Sequence, residues 1–391
     1  MTDDRPRARA RGLGIVIGEM TPGPFNAITD VPGVRVGHAT IIDRDGPLVV
    51  GRGPIRTGVT VVLPHDGDIW REPVFAAPHV LNGNGEMTGL EWIREAGMLG
   101  GAIGITNTHS VGVVRDALAA EGVRSQPAGT FYWSLPVVGE TWDGLLNDID
   151  GFHVRPEHVA AALADARSGP VDEGNVGGGT GMICHEFKGG IGTSSRRTSA
   201  ASGEWTIGVL VQANYGRRGL LRIDGVPVGA EITTDEVPSP RAARHGAAAS
   251  PPEGVPARER DGSIIVIVAT DAPILPHQCR RLAQRASLGL ARMGGLGATT
   301  SGDFFLCFSN GNRALPPPEV EATGPGVSSV RMLADRSLDP LFEATVEATE
   351  EAIVNALVAA ETMTGRDGNT AHRIPHDRLR EVMVRHGRLR D

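Results

Sequence analysis

In the stretch "ERDGSIIVIVATDAP" (259–273) a serine, Ser263, follows Gly262 and opens an unbroken run of apolar, mostly β-branched residues. A serine hydroxyl attacks only when a base removes its proton, and no G-x-S-x-G elbow is present to supply that partner. Cleavage of the Gly262–Ser263 bond supplies it directly. Ser263 then carries a hydroxyl and a free α-amine, whose reference pKa of about 7.7–8 leaves it partly neutral at physiological pH and able to serve as the base. Glycine suits the position before the cut, because without a Cβ it adopts the strained backbone that brings the next hydroxyl against its carbonyl. An uncut Ser263 is an ordinary strand residue, so the chemistry depends on processing.

The elements that must hold such a site are legible as short runs bounded by Gly, Pro or Asn. "TGVTVVLP" (57–64), "EWTIGVLVQANYG" (204–216), "GSIIVIVAT" (262–270) and "DFFLCFSNGN" (303–312) read as strands, several of them buried on both faces. In "ILPHQCRRLAQRASLGLARMGG" (274–295) apolar residues recur at spacings of three and four while arginines take the other faces, which predicts an amphipathic helix ended by Gly294 and Gly295. A second helix is expected from Asp339 as N-cap with Pro340 at the first position, and others over 87–97 and 156–169. From Thr234 to Gly262 the chain is rich in Pro, Ala and Arg with almost no large apolar residue, the composition of an exposed mobile linker. That linker supplies the freedom a cut requires.

Composition narrows the classes of function. The 391 residues are 40% hydrophobic and 21% charged, enough for a sizeable core, and the 53 glycines imply many turns and close backbone approaches. A net charge of −8 leaves no basic excess to neutralise phosphates, which argues against a nucleic-acid partner. Three cysteines without metal-like spacing read as reduced, buried thiols, and the lack of an 18-residue apolar run argues against a membrane partner. With no apolar leader segment, the expected location is cytoplasmic.

Six segments carry a family resemblance: "ITDVPGVRVGH" (28–38), "NGNGEMTGLEW" (82–92), "TNTHSVG" (106–112), "NVGGGTGMICHEFKGGIGTSSR" (175–196), "IGVLVQANYG" (207–216) and "DGSIIVIVATDAP" (261–273). In this order they resemble the L-aminopeptidase/D-esterase (DmpA) family of self-processing hydrolases. The resemblance implies one catalytic domain over 1–391, an α/β fold in the form of a four-layer αββα sandwich similar to N-terminal-nucleophile hydrolases, and self-cleavage into fragments 1–262 and 263–391. It maps the nucleophile onto Ser263, an oxyanion-stabilising asparagine onto Asn214, and a Ser-x-acid pair onto Ser301 and Asp303. It also places Trp142 where the family has a tyrosine that binds oxyanion or substrate; Tyr132 and Tyr215 are the chain's two tyrosines. The implied activity is release of N-terminal amino acids from short peptides, amides or esters through an acyl-enzyme, by a homo-oligomer of αβ units without cofactor. These positions make chemical sense independently. An asparagine at a strand end holds its amide rigidly, and a hydroxyl and a carboxylate two residues apart share a face from which to orient an amine.

Other readings are weaker. "GGGTGM" (177–182) lacks the G-K-[ST] ending of a phosphate loop, and His109 and His185 have no metal-like spacing around them. Alternatives of the same chemistry are a β-aminopeptidase, a hydrolase of nylon-type oligomeric amides, and an acyltransferase related to ornithine acetyltransferase.

Overall fold

The computed structural model describes residues 7–241, 262–313, 315 and 327–389. Two sheets face each other. The smaller has four strands in the order β1 (Arg35–Asp43), β2 (Ile55–Leu63), β5 (Ile103–Asn107) and β6 (Val137–Thr141). The larger has six in the order β4 (Met98–Leu99), β3 (Val74–Gly83), β10 (Gly302–Ser309), β9 (Gly262–Thr270), β8 (Thr206–Tyr215) and β7 (Gly190–Arg197). Helices α2 (Val111–Ser125) and α3 (Pro156–Asp165) cover the outer face of the first; α4 (Pro276–Arg292) and α5 (Asp339–Val358) cover that of the second. A short helix, α1 (Leu90–Ala96), packs beside β3. The layers therefore run α, β, β, α.

Strand pleating explains why the central runs are apolar throughout. Ile264, Val266 and Val268 of β9 join Leu282, Ala286 and Ile353 under the helices, whereas Ile265, Ile267 and Ala269 meet Val62, Ile103 and Val137 of the opposite sheet. A third cluster, with Val59, Val61, Val114, Leu118 and Val159, sits under α2 and α3. A strand buried on both faces is mostly apolar along its length, so exposed-edge chemistry is easiest to place at its ends.

The expected strands are present with ends shifted by one to three residues, and β9 keeps both its expected bounds. Helix α5 has Leu338 as its N-cap, so Asp339 and Pro340 occupy the first two helical positions rather than the cap and the first. Of the stretch expected to be a linker, residues 234–241 are anchored: Arg218 donates to the carbonyls of Ile232, Thr233 and Val237, and Arg378 pairs with Glu236. Residues 242–261 lie outside the described residues. The three cysteines are free and buried.

The glycine-rich turn at Gly177–Gly179 is wedged between the sheets. A Cβ on Gly178 would lie 2.2 Å from Gln212 Oε1 and 2.7 Å from the Ile105 carbonyl. Its amides are already engaged, Gly177 by Thr40 and Gly178 by Thr60, which leaves them unavailable to a phosphate.

An ion-pair cluster ties the N-terminal segment to α5. Arg196, fully buried, bonds Glu347 at 2.9 Å and Glu351 at 2.7 Å, and Arg11 adds a bond to Glu351 at 2.9 Å. Burial alone raises the Glu351 pKa, but Arg196 and Arg11 outweigh it and hold the carboxyl below its ordinary value. The stabilisation is thus present at neutral pH and lost as pH falls through the depressed pKa. Arg196→Met is expected to cost about 3–5 kcal/mol, because two buried carboxylates lose their main counter-charge. A denaturant midpoint within error of the parent would contradict this.

Candidate active site

Register brings the site together. In the antiparallel β8–β9 pair Asn214 stands opposite Ser263 and Tyr215 opposite Gly262, and in the parallel β9–β10 pair Ile264 stands opposite Asp303. Three central strands thus deliver Asn214, Ser263 and the 301–303 segment to one edge of the sandwich. Cross-strand partners share a face, so Asn214 and Ser263 both lie on the inter-sheet side, continuing the alternation of Leu210 and Ile265. Asp303 continues the alternation of Phe305 and Cys307 on the helix side.

All four residues are nearly enclosed, with exposures of 7% for Ser263, 6% for Asn214, 3% for Ser301 and 1% for Asp303. Ser263 Oγ accepts a hydrogen bond from the Gly302 N–H at 3.0 Å. Ser301 Oγ donates to Asp303 Oδ1 at 2.6 Å, so the pair expected to share a face is in direct contact. Asn82 fixes the turn before them by donating to the carbonyls of Ala298 and Ser301, and Asn84 N–H adds a bond to the latter. Asn214 is held at both ends of its amide: Oδ1 accepts from Ile183 N–H at 2.8 Å and Nδ2 donates to the Trp142 carbonyl at 2.9 Å.

Gly262 has φ of +74°, and a Cβ there would lie 1.9 Å from the Asn214 carbonyl oxygen. Only glycine fits that combination of left-handed backbone and close approach. Trp142 meets Asn214 through its carbonyl, while its indole packs over Gly144 and against the cluster of Leu145, Leu146, Ile183 and Ala371. Tyr132 packs at a tilt of 46° against Trp70, and Tyr215 lines a recess with Gly216, Leu220, Leu290 and Leu296 beside Ser301 and Asp303.

One residue of this region escapes the sequence reading. Glu140, on β6, is buried, accepts from Glu86 N–H at 2.9 Å and from the Thr108 hydroxyl, and has its pKa raised chiefly by burial. A Cβ on Gly85 would come within 2.9 Å of Glu140 Oε1 and 3.3 Å of Gly302 Cα, so only Gly85 separates the carboxyl from the segment that bonds Ser263. A glutamate inside the apolar run "VVGET" (137–141) is the signal that could have drawn attention to it.

His109 pairs with Asp150 and stacks on Phe152, and burial lowers the His185 pKa to about 4. Among the described residues no three His, Cys, Asp or Glu side chains gather where one ion could be held.

The model of peptidase family S58 matches residues 26–371. The chain belongs to peptidase family S58. Among S58-type relatives, it is 50% identical over 381 residues to the β-peptidyl aminopeptidase BapA of Sphingosinicella microcystinivorans, covering 97% of this chain and 93% of that protein. A solved β-aminopeptidase from a Burkholderia species is 53% identical with a TM-score of 0.85, covering 97% of this chain and 99% of the other. The L-aminopeptidase D-Ala-esterase/amidase of Ochrobactrum anthropi, described as a variant of the Ntn hydrolase fold, is 44% identical with a TM-score of 0.84 over 98% and 100%. The S58 chain is accordingly a peptide hydrolase of the aminopeptidase class, with an αββα sandwich of the Ntn-hydrolase type. No helix among its described residues is long and apolar enough to cross a membrane.

Proposed function

We propose that this S58 peptidase cuts its own Gly262–Ser263 bond and then uses Ser263 as an N-terminal nucleophile to release β-amino acids from the N-termini of short peptides and amides. The Ser263 α-amine acts as general base, the Oγ attacks the carbonyl after the first residue, and an acyl-enzyme forms with loss of the amine. Water then releases the amino acid. Asn214 and backbone N–H groups hold the oxyanion. The disposition of groups supports these roles: the hydroxyl and Asn214 lie on one face of the sheet, while the Ser301–Asp303 pair lies on the other, on the strand next to Ser263.

The observation that carries the substrate class is the fit around Gly262. In the chain's own scissile bond the carbon next to the carbonyl has no room for a Cβ, which would fall 1.9 Å from the Asn214 carbonyl oxygen. A β³-aminoacyl group has a CH₂ at that carbon and bears its side chain one atom further on. The names of the relatives at 50% and 53% identity support the same class, whereas the 44% identical L-aminopeptidase supports α-amino acids as the second reading. Matched β³- and L-α-aminoacyl p-nitroanilides test this. A higher kcat/KM for the β series is expected; the reverse order would reject the preference, and product formation only with an acceptor amine would point to an acyltransferase.

Glu140 supplies the anion that an aminopeptidase needs for the substrate's ammonium group. Glu140→Gln keeps one accepted bond through its amide oxygen and can only donate to the Thr108 hydroxyl from its NH2, but it removes the charge at constant shape, so KM is expected to rise roughly tenfold with kcat little changed. An unchanged KM would exclude this role. The buried reduced thiols support a reducing compartment such as the cytoplasm, and Phe131 and Leu135, exposed beside the Trp92–Trp133 pair, support self-association that native mass would reveal.

A further inference from the structure

Of the 38 lysine and arginine residues in the chain, one alone is a lysine, Lys188. It is also completely buried. Its Nζ donates to three backbone carbonyls, those of Met182 at 2.7 Å, Gly189 at 2.8 Å and Gly179 at 3.3 Å. An ammonium has three N–H groups for these three acceptors; a neutral amine would turn its lone pair toward one of the oxygens. Burial draws the Lys188 pKa well below the ordinary lysine value and nearby Arg7 adds to that, while the carboxyl of Asp143 opposes it. An ammonium offers one N–H to each of three converging carbonyls, whereas a terminal guanidinium nitrogen has only two and meets three by sharing, as Arg218 Nη1 does.

The carbonyl that receives the shortest of these bonds belongs to the peptide between Met182 and Ile183. The N–H of that same peptide donates to Asn214 Oδ1 at 2.8 Å. A continuous chain of donors therefore runs from the ammonium, through one peptide unit, to the amide opposite Ser263. Bonds in such a chain polarise one another, each strengthened by about 10–30%, and a charge at its head adds to the effect.

We propose that Lys188 is a positioning residue that fixes the glycine-rich turn and, through the Met182–Ile183 peptide, orients and polarises the Asn214 amide as an oxyanion donor. The glycines at 177–182 gain a purpose by this: the turn presents two carbonyls to the ammonium and one N–H to Asn214. The inference rests on Asn214 having the oxyanion role proposed above.

The test is Lys188→Met, which retains length and apolar bulk, assayed by kcat and KM per active site titrated with a serine-directed acylating reagent. The expected result is a loss of about tenfold in kcat with KM within about twofold, less than the 10²–10³ that an oxyanion donor itself supplies. A kcat unchanged per titrated site would overturn the proposal even if thermal stability falls, since that is the mark of a purely structural role. Asn214→Ala measured alongside separates the two ideas. If it retains full kcat, the oxyanion reading fails; if it loses kcat while Lys188→Met does not, only the Lys188 inference fails. Should Lys188→Met not fold, lysine-selective isotope labelling of the unsubstituted protein gives a single side-chain signal in NMR. An ammonium at neutral pH supports the relay, and a neutral amine overturns it.

Discussion

Ser263→Ala is expected to purify as one uncut chain with no measurable aminopeptidase activity. Both events use the same oxygen. Self-cleavage needs the Ser263 Oγ to attack the Gly262 carbonyl, and turnover needs it to attack the substrate carbonyl after the α-amine has been freed. Removing it abolishes the base as well, because an uncut chain has no amine at 263. A loss on the order of 10⁶ in kcat, the scale reached when a serine hydrolase loses its nucleophile, is therefore the least expected. Intact mass and a p-nitroanilide assay check both halves. Fragments 1–262 and 263–391 from the alanine variant, or residual turnover near the parent's, would sink the mechanism. The surroundings argue that the variant will fold. Among the described residues the Oγ makes one hydrogen bond, with the Gly302 N–H, and the β9 residues beyond it are buried apolar side chains that the substitution leaves untouched.

Local pattern carries some of these elements and not others. β9 was legible to its ends because a strand buried on both faces is apolar at every position, and Gly262 marks where that run starts. Helix α4 was legible because its arginines and apolar residues occupy opposite sides. β1, β3, β5 and β6 went unread, being broken by glycine, proline or polar residues whose partners lie across the sheet. Helix α2 went unread too: "VGVVRDALAAEGVRS" contains two glycines, and its apolar residues run around the axis instead of along one side. At the site, the identities of Ser263, Asn214, Ser301 and Asp303 came from motif resemblance, but their juxtaposition is a product of strand register. Register depends on long-range pairing that no local window contains. Glu140 and Lys188 illustrate the same limit. Each is a charged residue in a run otherwise suited to a core, and what it does is set by groups far away in sequence: the Gly85–Glu86 and Thr108 backbone and hydroxyl for one, the Gly179–Met182 turn for the other.

Asn214→Ala is expected to lower kcat by about 10²–10³ with a small change in KM, the effect of losing one preorganised donor to the oxyanion. The side chain is committed at two points, Oδ1 to Ile183 and one Nδ2 hydrogen to Trp142, and its second Nδ2 hydrogen is the donor available to substrate. Asn214→Asp is a sharper probe, since it has the same shape. Its first oxygen still accepts from Ile183, but the second faces the Trp142 carbonyl and presents negative charge where a negative oxygen must develop. The aspartate variant should therefore be slower than the alanine variant, although it preserves more of the packing. If packing alone governed the site, the order would be reversed. Residual activity in the alanine variant is expected to come from the Gly302 N–H, a backbone donor already within 3.0 Å of Ser263 Oγ that no side-chain substitution removes. Equal rates for the two variants would mean that Asn214 serves only to hold the 182–183 turn, and that the oxyanion is stabilised by backbone groups alone.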